Sequence, residues 1–234
     1  MLARRILVSC TVAIVVAGEL GCGSKPASSP APHAQGAPTA GGQPPAAAAS
    51  TRTPPAAATR NATDSYPQVL IKTTAGEIKI RLNAEKAPLT VENFLENYVK
   101  RGFYSGTIFH HVDQGFIIAG GGYTSDGKAK PTRAPIRNEA DNGLKNRRGT
   151  IAMARDPDYV DSATSQFFIN LADNPALDYE ASKGDRGYGY CVFGEVVEGM
   201  EVVDRIAKVA VRRVDEFPKM PAEPLTVESV TRLR

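Results

Sequence analysis

Phe109-His110-His111-Val112-Asp113-Gln114-Gly115-Phe116-Ile117-Ile118-Ala119-Gly120-Gly121 is the stretch on which the fold turns. It holds two short β-like runs, 107–112 and 115–119, separated by a glycine, and ends in a Gly120-Gly121-Gly122 cluster that reads as a turn. Further short β runs follow at 150–154, 166–171 and 190–197, again between glycine-rich turns. Towards the N-terminus, 68–73 and 77–82 are joined by Thr74-Ala75-Gly76. In the second of these, Ile78, Ile80 and Leu82 alternate with Lys79 and Arg81, the period of two that marks a half-buried strand. The run 225–233 closes the chain as a strand. Only two segments carry helical spacing. One is Val91, Phe94, Leu95, Tyr98 and Val99, with Thr90 expected as N-cap and Gly102 as stop; the other is Met200, Val203, Ile206 and Ala207. About eight strands with two helices in one domain predict a mainly β fold, a closed barrel with helices over its ends.

The apolar residues say where that domain lies. All eight Tyr and all eight Phe of the 234 residues fall at or after Tyr66, so 66–234 alone can build a sizeable core. The 28 basic and 25 acidic residues include five basic (Arg4, Arg5, Lys25, Arg52, Arg60) and two acidic (Glu19, Asp64) before Tyr66, which leaves 23 of each in the domain. A balanced domain lacks the basic footprint of a nucleic-acid binder, so no nucleic-acid partner is expected. Of Cys10, Cys22 and Cys191 only the last lies in the domain, which excludes an internal disulfide; a small buried strand residue is expected there.

Residues 1–22 read as a bacterial export signal. Arg4 and Arg5 form the positive start, 6–17 a short apolar run, and 18–22 small residues near a cleavage point. The run is shorter than the ~20 residues of a membrane span. Leu20-Gly21-Cys22 resembles a lipobox, in which Cys22 is acylated and becomes the mature N-terminus, although Glu19 stands where such signals prefer an aliphatic residue. Ordinary cleavage to a soluble secreted form is the alternative. Residues 23–65 hold eight prolines and no Val, Ile, Leu, Met, Phe, Tyr or Trp, a composition that predicts a disordered linker. As a flexible coil it spans roughly 35–40 Å. The expected location is therefore the periplasm or cell envelope, with the membrane touched only through the N-terminal anchor.

The opening stretch also resembles the cyclophilin signature F-H-R-x-x-x-G-F-x-x-Q-G-G. Asn138–Leu144 (N-E-A-D-N-G-L), 149–155 (G-T-I-A-M-A-R), 161–170 (D-S-A-T-S-Q-F-F-I-N) and 192–196 (V-F-G-E-V) are similar to the bacterial periplasmic branch of that family, in family order. The resemblance implies an eight-stranded antiparallel barrel capped by two α-helices, without cofactor or metal. It implies a domain that binds proline-containing polypeptides in a surface groove and acts as a peptidyl-prolyl cis–trans isomerase; with the export signal, the expected substrates are exported proteins, and nothing in the sequence suggests more than a monomer. Carried over position by position, Phe116, Ile117, Gln166, Phe168, Leu177 and Tyr190 line the groove, with Ala154 and Arg155 at its edge.

Isomerisation needs no nucleophile, because no bond breaks. Rotation about an amide meets a barrier of about 18–20 kcal/mol since resonance is lost, and takes ~10–100 s uncatalysed. An apolar pocket that grips the ring and dries the carbonyl helps. So does a cation aimed at the nitrogen, whose lone pair is localised only in the twisted state. Here the sequence departs from the family: His111 stands at the catalytic arginine, Ala119 at the glutamine of Q-G-G, and Ala176 at a usual aromatic. Arginine is always charged, whereas histidine is mostly neutral at pH 7. The resemblance thus gives His111 the catalytic position with reduced activity expected. A proline-peptide binding module or holdase with little turnover is the second function class. His110-His111 do not read as a metal site, because neighbours in a regular strand point to opposite faces. Residues 145–148 read as a solvated basic loop.

Overall fold

The computed structural model describes residues 65–234; the signal, Cys22 and the linker up to Asp64 lie outside the described residues. The strands are β1 (Gln68–Thr73), β2 (Gly76–Leu82), β3 (Thr107–Asp113), β4 (Ile117–Thr124), β5 (Thr150–Met153), β6 (Phe167–Asn170), β7 (Val192–Glu198), β8 (Val211–Val214), β9 (Phe217–Pro221) and β10 (Thr226–Arg232). Eight of them close an antiparallel barrel in the order β1-β10-β3-β4-β6-β5-β7-β2. Alternation decides which residues go inside. Ile78, Ile80 and Leu82 of β2 are fully buried, while Lys79 and Arg81 leave the barrel to pair with Glu198 and Glu195 across on β7.

Two helices complete the fold. The first, α1 (Pro88–Glu92), runs on as a π-helical turn over Asn93–Val99, and α2 (Met200–Ala207) follows β7. Phe94 from the first helix meets Phe167, Phe193 and Tyr104 in the barrel core at ring-centroid distances of 6.1, 5.3 and 5.2 Å. Burying such a ring is worth about 1.5–3 kcal/mol over leaving it in water.

Two sequence expectations change here, and one element is new. Thr90 does not cap the first helix; the helix begins at Pro88, whose fixed φ suits a first turn. Its free N–H groups are met from far along the chain: Glu139 accepts from Leu89 N at 3.1 Å, and from Thr90 N and Oγ1 at 2.8 Å each. Gly120-Gly121-Gly122 is not a turn but the middle of β4. A Cβ on Gly121 would come within 2.9 Å of the Phe167 and Tyr104 rings, and one on Gly122 within 2.6 Å of Gln166 Cγ. Glycine makes room there for side chains of neighbouring strands. Finally, β8 and β9 form a hairpin outside the barrel, which the charged run Val211-Arg212-Arg213-Val214 does not announce. Phe217 and Met220 of β9 pack on Ile108 and Tyr123, covering the outside of β3 and β4.

Candidate functional site

Strand registry places the candidate site. On the outer face of the barrel, Cα partners run in a single row from strand to strand: His111 on β3, Ala119 on β4, Phe168 on β6, Ala152 on β5 and Val192 on β7. Because side chains alternate along each strand, Phe167 and Ile169 go into the main core while Phe168 goes outward. The outward residues build a second apolar cluster of Ile117, Ala119, Ala152, Ala154, Phe168, Leu177 and Val192, with Phe116, Leu144 and Tyr190 packed against it. Phe168 and Tyr190 meet edge to face at 5.6 Å. Phe116, Ile117, Phe168, Leu177, Tyr190 and Ala154 are thus brought together on one wall. Ala176, beside Leu177, is exposed.

His111 joins that wall through a β-bulge. Phe109 pairs with Gly120 and His111 with Ala119, so His110 is the extra residue. Phe109 and Val112 both reach the main core, hence the face switches between them. The pleat rule therefore fails for the two histidines: neither points into the barrel. His110 packs edge-on against Tyr123 at 4.8 Å and Phe217 at 5.7 Å under the hairpin, while His111 faces the groove row. They serve different clusters, and among the described residues no group of three or more His, Cys, Asp or Glu could hold a metal.

Electrostatics separates the pair further. Burial, with His111 nearby, pushes the His110 pKa down to about 3, so this ring stays neutral in any physiological medium. His111 is half-buried, and its pKa also falls below the ordinary histidine value. Burial lowers it first; Asp113 raises it and Lys219 lowers it. Lys219, on the hairpin, bonds Asp113 at 2.6 Å. That pair braces the turn from which Phe116 N donates to Asp113 O at 2.9 Å.

The predicted lining residue Gln166 and the predicted edge residue Arg155 behave differently. Gln166 lies over Gly122, and its buried Oε1 has no hydrogen-bond partner among the described residues. Arg155, by contrast, does not offer its charge to the groove. It is buried, donates from Nε to Gly189 O at 2.8 Å and from Nη1 to Asp156 O and Pro157 O at 2.8 and 3.1 Å, and stacks 5.1 Å from the Tyr190 ring centroid. It props Tyr190 from behind.

Three residues that the sequence reading passed over hold the wall from beneath. Asn170 donates to Asn146 Oδ1 at 3.2 Å and to Thr150 Oγ1 at 2.9 Å, and accepts from Asn174 Nδ2 at 2.7 Å. Asn174 donates to Phe116 O, and Asn146 to Leu177 O, each at 3.0 Å. Asn146 belongs to the stretch read as a solvated basic loop, yet it is buried; two residues on, Arg148 donates from Nη2 to both carboxylate oxygens of Asp204. Asparagine is unfavourable in strands and buried surroundings, so Asn170 at the end of a Phe-Phe-Ile run was the signal available.

The chain's relatives agree with this geometry. The family profile described as cyclophilin type peptidyl-prolyl cis-trans isomerase/CLD matches residues 68–232. The chain belongs to the cyclophilin-type peptidyl-prolyl cis–trans isomerases. It is 53% identical over 161 residues to peptidyl-prolyl cis-trans isomerase A of Dickeya dadantii, covering 69% of this chain and 82% of that protein. It is 51% identical over 163 residues to peptidyl-prolyl cis-trans isomerase B of Escherichia coli, covering 70% and 98% respectively. Among solved structures, a Cryptosporidium parvum cyclophilin-type isomerase crystallised in the presence of the dipeptide Ala-Pro superposes with a TM-score of 0.59 at 26% identity, covering 71% of this chain and 99% of that one. The eight-stranded barrel with two helices is the cyclophilin architecture, and peptidyl-prolyl cis–trans isomerisation is this cyclophilin's activity.

Proposed function

We propose that this cyclophilin isomerises prolyl bonds of exported polypeptides at a reduced rate, from a lipid anchor outside the cytoplasm. The observation that carries the site is the cross-strand row from His111 to Val192 on an apolar outer face. Proline packs against Phe116, Phe168 and Leu177, and Gln166 helps orient the bound backbone. The dry wall strips water from the carbonyl, which favours the twisted amide. The cation that would stabilise the localised nitrogen lone pair is weak, because burial keeps His111 largely neutral near pH 7.

Affinity for a short Ala-Pro peptide should fall at least about tenfold when proline is changed to alanine, as the ring's apolar burial is lost. Equal affinities by isothermal titration would remove the proline assignment. Export and anchoring rest on the signal-like residues 1–22 and on Cys22. The wild-type chain is expected in the membrane fraction of the producing cell, and Cys22→Ser without its acyl anchor. A wild-type protein recovered soluble with an unmodified Cys22 would leave the secreted form as the better reading.

A further inference from the structure

The groove is not the only concavity on the outer face. A cavity of about 440 Å³ opens beside it, and Leu144 and Val192 belong to both. Strand geometry makes the two continuous. In β5 the outward positions are Ala152, in the groove row, and Thr150, in the cavity wall; in β7 they are Val192 and then Gly194. One step of two residues along these strands covers about 7 Å.

The cavity's chemistry differs from that of the groove. Its floor is apolar, from Leu82, Leu144 and Val192, but its rim is cationic. Arg81 is neutralised by Glu195. Lys145 has only a long contact to Asp178, at 3.6 Å, and that carboxylate already accepts from Asn146 N at 2.7 Å. The exposed Arg147 side chain has no ion-pair or hydrogen-bond partner among the described residues. The rim therefore carries two cations with little compensation, facing a space large enough for a side chain and its backbone.

We propose that this cavity is a flanking subsite that selects acidic residues next to the bound proline, so that the preferred substrates are acidic prolyl segments. The inference rests on the groove reading above and adds a specificity to it. An extended chain advances about 3.3 Å per residue, so a side chain two or three residues from the proline reaches the cavity. There its carboxylate meets Arg147 and Lys145, and its methylene groups meet Leu144.

The full-length protein is titrated with a neutral peptide centred on Ala-Pro and with versions carrying Asp two or three residues before or after the proline. On one side of the proline the Asp peptides should bind roughly three- to tenfold tighter at low salt. That advantage should shrink as the ionic strength rises to about 0.5 M. In Arg147→Glu the ratio of acidic to neutral affinity should invert. Because it is a ratio on one protein sample, misfolding would show as loss of both peptides. Equal binding of acidic and neutral peptides on both sides, or an acidic preference that survives Arg147→Glu, overturns the subsite while leaving the groove intact. No binding of the neutral prolyl peptide would remove the groove reading, and the subsite with it.

Discussion

His111→Arg is expected to raise kcat/KM for a prolyl peptide by about ten- to thirtyfold. Losing one preorganised donor to a transition-state charge typically costs about 2.7–4 kcal/mol, and recovering half of that corresponds to at least a factor of ten. The geometry favours the exchange. Position 111 sits on the groove row, and its cross-strand partner Ala119 leaves space beside it. Recovery stays partial because Ala119 lacks the amide that would hold a guanidinium in place.

The same substitution changes the pH profile, and the sign follows from burial. Cationic His111 exists only below its folded pKa, which lies under the ordinary ~6.5. Wild-type activity should then be flat from pH 8 to 7 and rise as pH falls through 6.5 towards 5. A solvated histidine would place that rise between pH 8 and 6, as the sequence alone suggests. His111→Arg should be flat throughout, and His111→Ala flat at the level the apolar wall provides. NMR exchange on a prolyl peptide measures all three without a coupling protease. If both variants match the wild type at every pH, position 111 takes no part in the reaction.

Asn170→Ala should lower the unfolding free energy by about 3 kcal/mol, and Tm by about 6–12 °C for a domain of this size. Asn170 is fully buried and joins Asn146, Thr150 and Asn174. Truncation leaves these groups short of partners where water does not replace them, and each such loss costs about 1–3 kcal/mol. The damage should reach the site as well. Asn174 and Asn146 hold the Phe116 and Leu177 carbonyls, so the peptide Kd should rise even at temperatures where the variant is folded. A loss below about 1 kcal/mol in urea unfolding would show that the amide network contributes little.

Much of this was legible in the residues themselves. The alternation in 77–82 is a local property, and it survives folding because one face of β2 meets the core and the other meets solvent. The paired phenylalanines at 167 and 168 divide between core and groove for the same reason. That Phe116, Ile117, Phe168, Leu177 and Tyr190 gather on one apolar face was legible through resemblance, since they stand at matching motif positions. The position of His111 was legible too, but not its protonation, which depends on how far neighbouring strands and the hairpin bury it.

The class of fold and the members of the apolar wall were already present in the residues, because strand period and motif order are carried by neighbouring residues. What depends on partners far along the chain emerged on folding. The bulge that turns His110 and His111 both outward exists because β4 pairs Gly120 with Phe109 and Ala119 with His111. Thr90 lost its capping role because a carboxylate 49 residues away reaches its N–H. Gly120–Gly122 became strand because side chains of β6 and its approach need the space. Arg155 became a prop and Asn146 a buried link because the backbone carbonyls of distant loops converge on them. Burying a hydrogen-bonding group is cheap where a partner is waiting, and the position of that partner is set by registry and closure of the barrel, not by any local stretch of sequence.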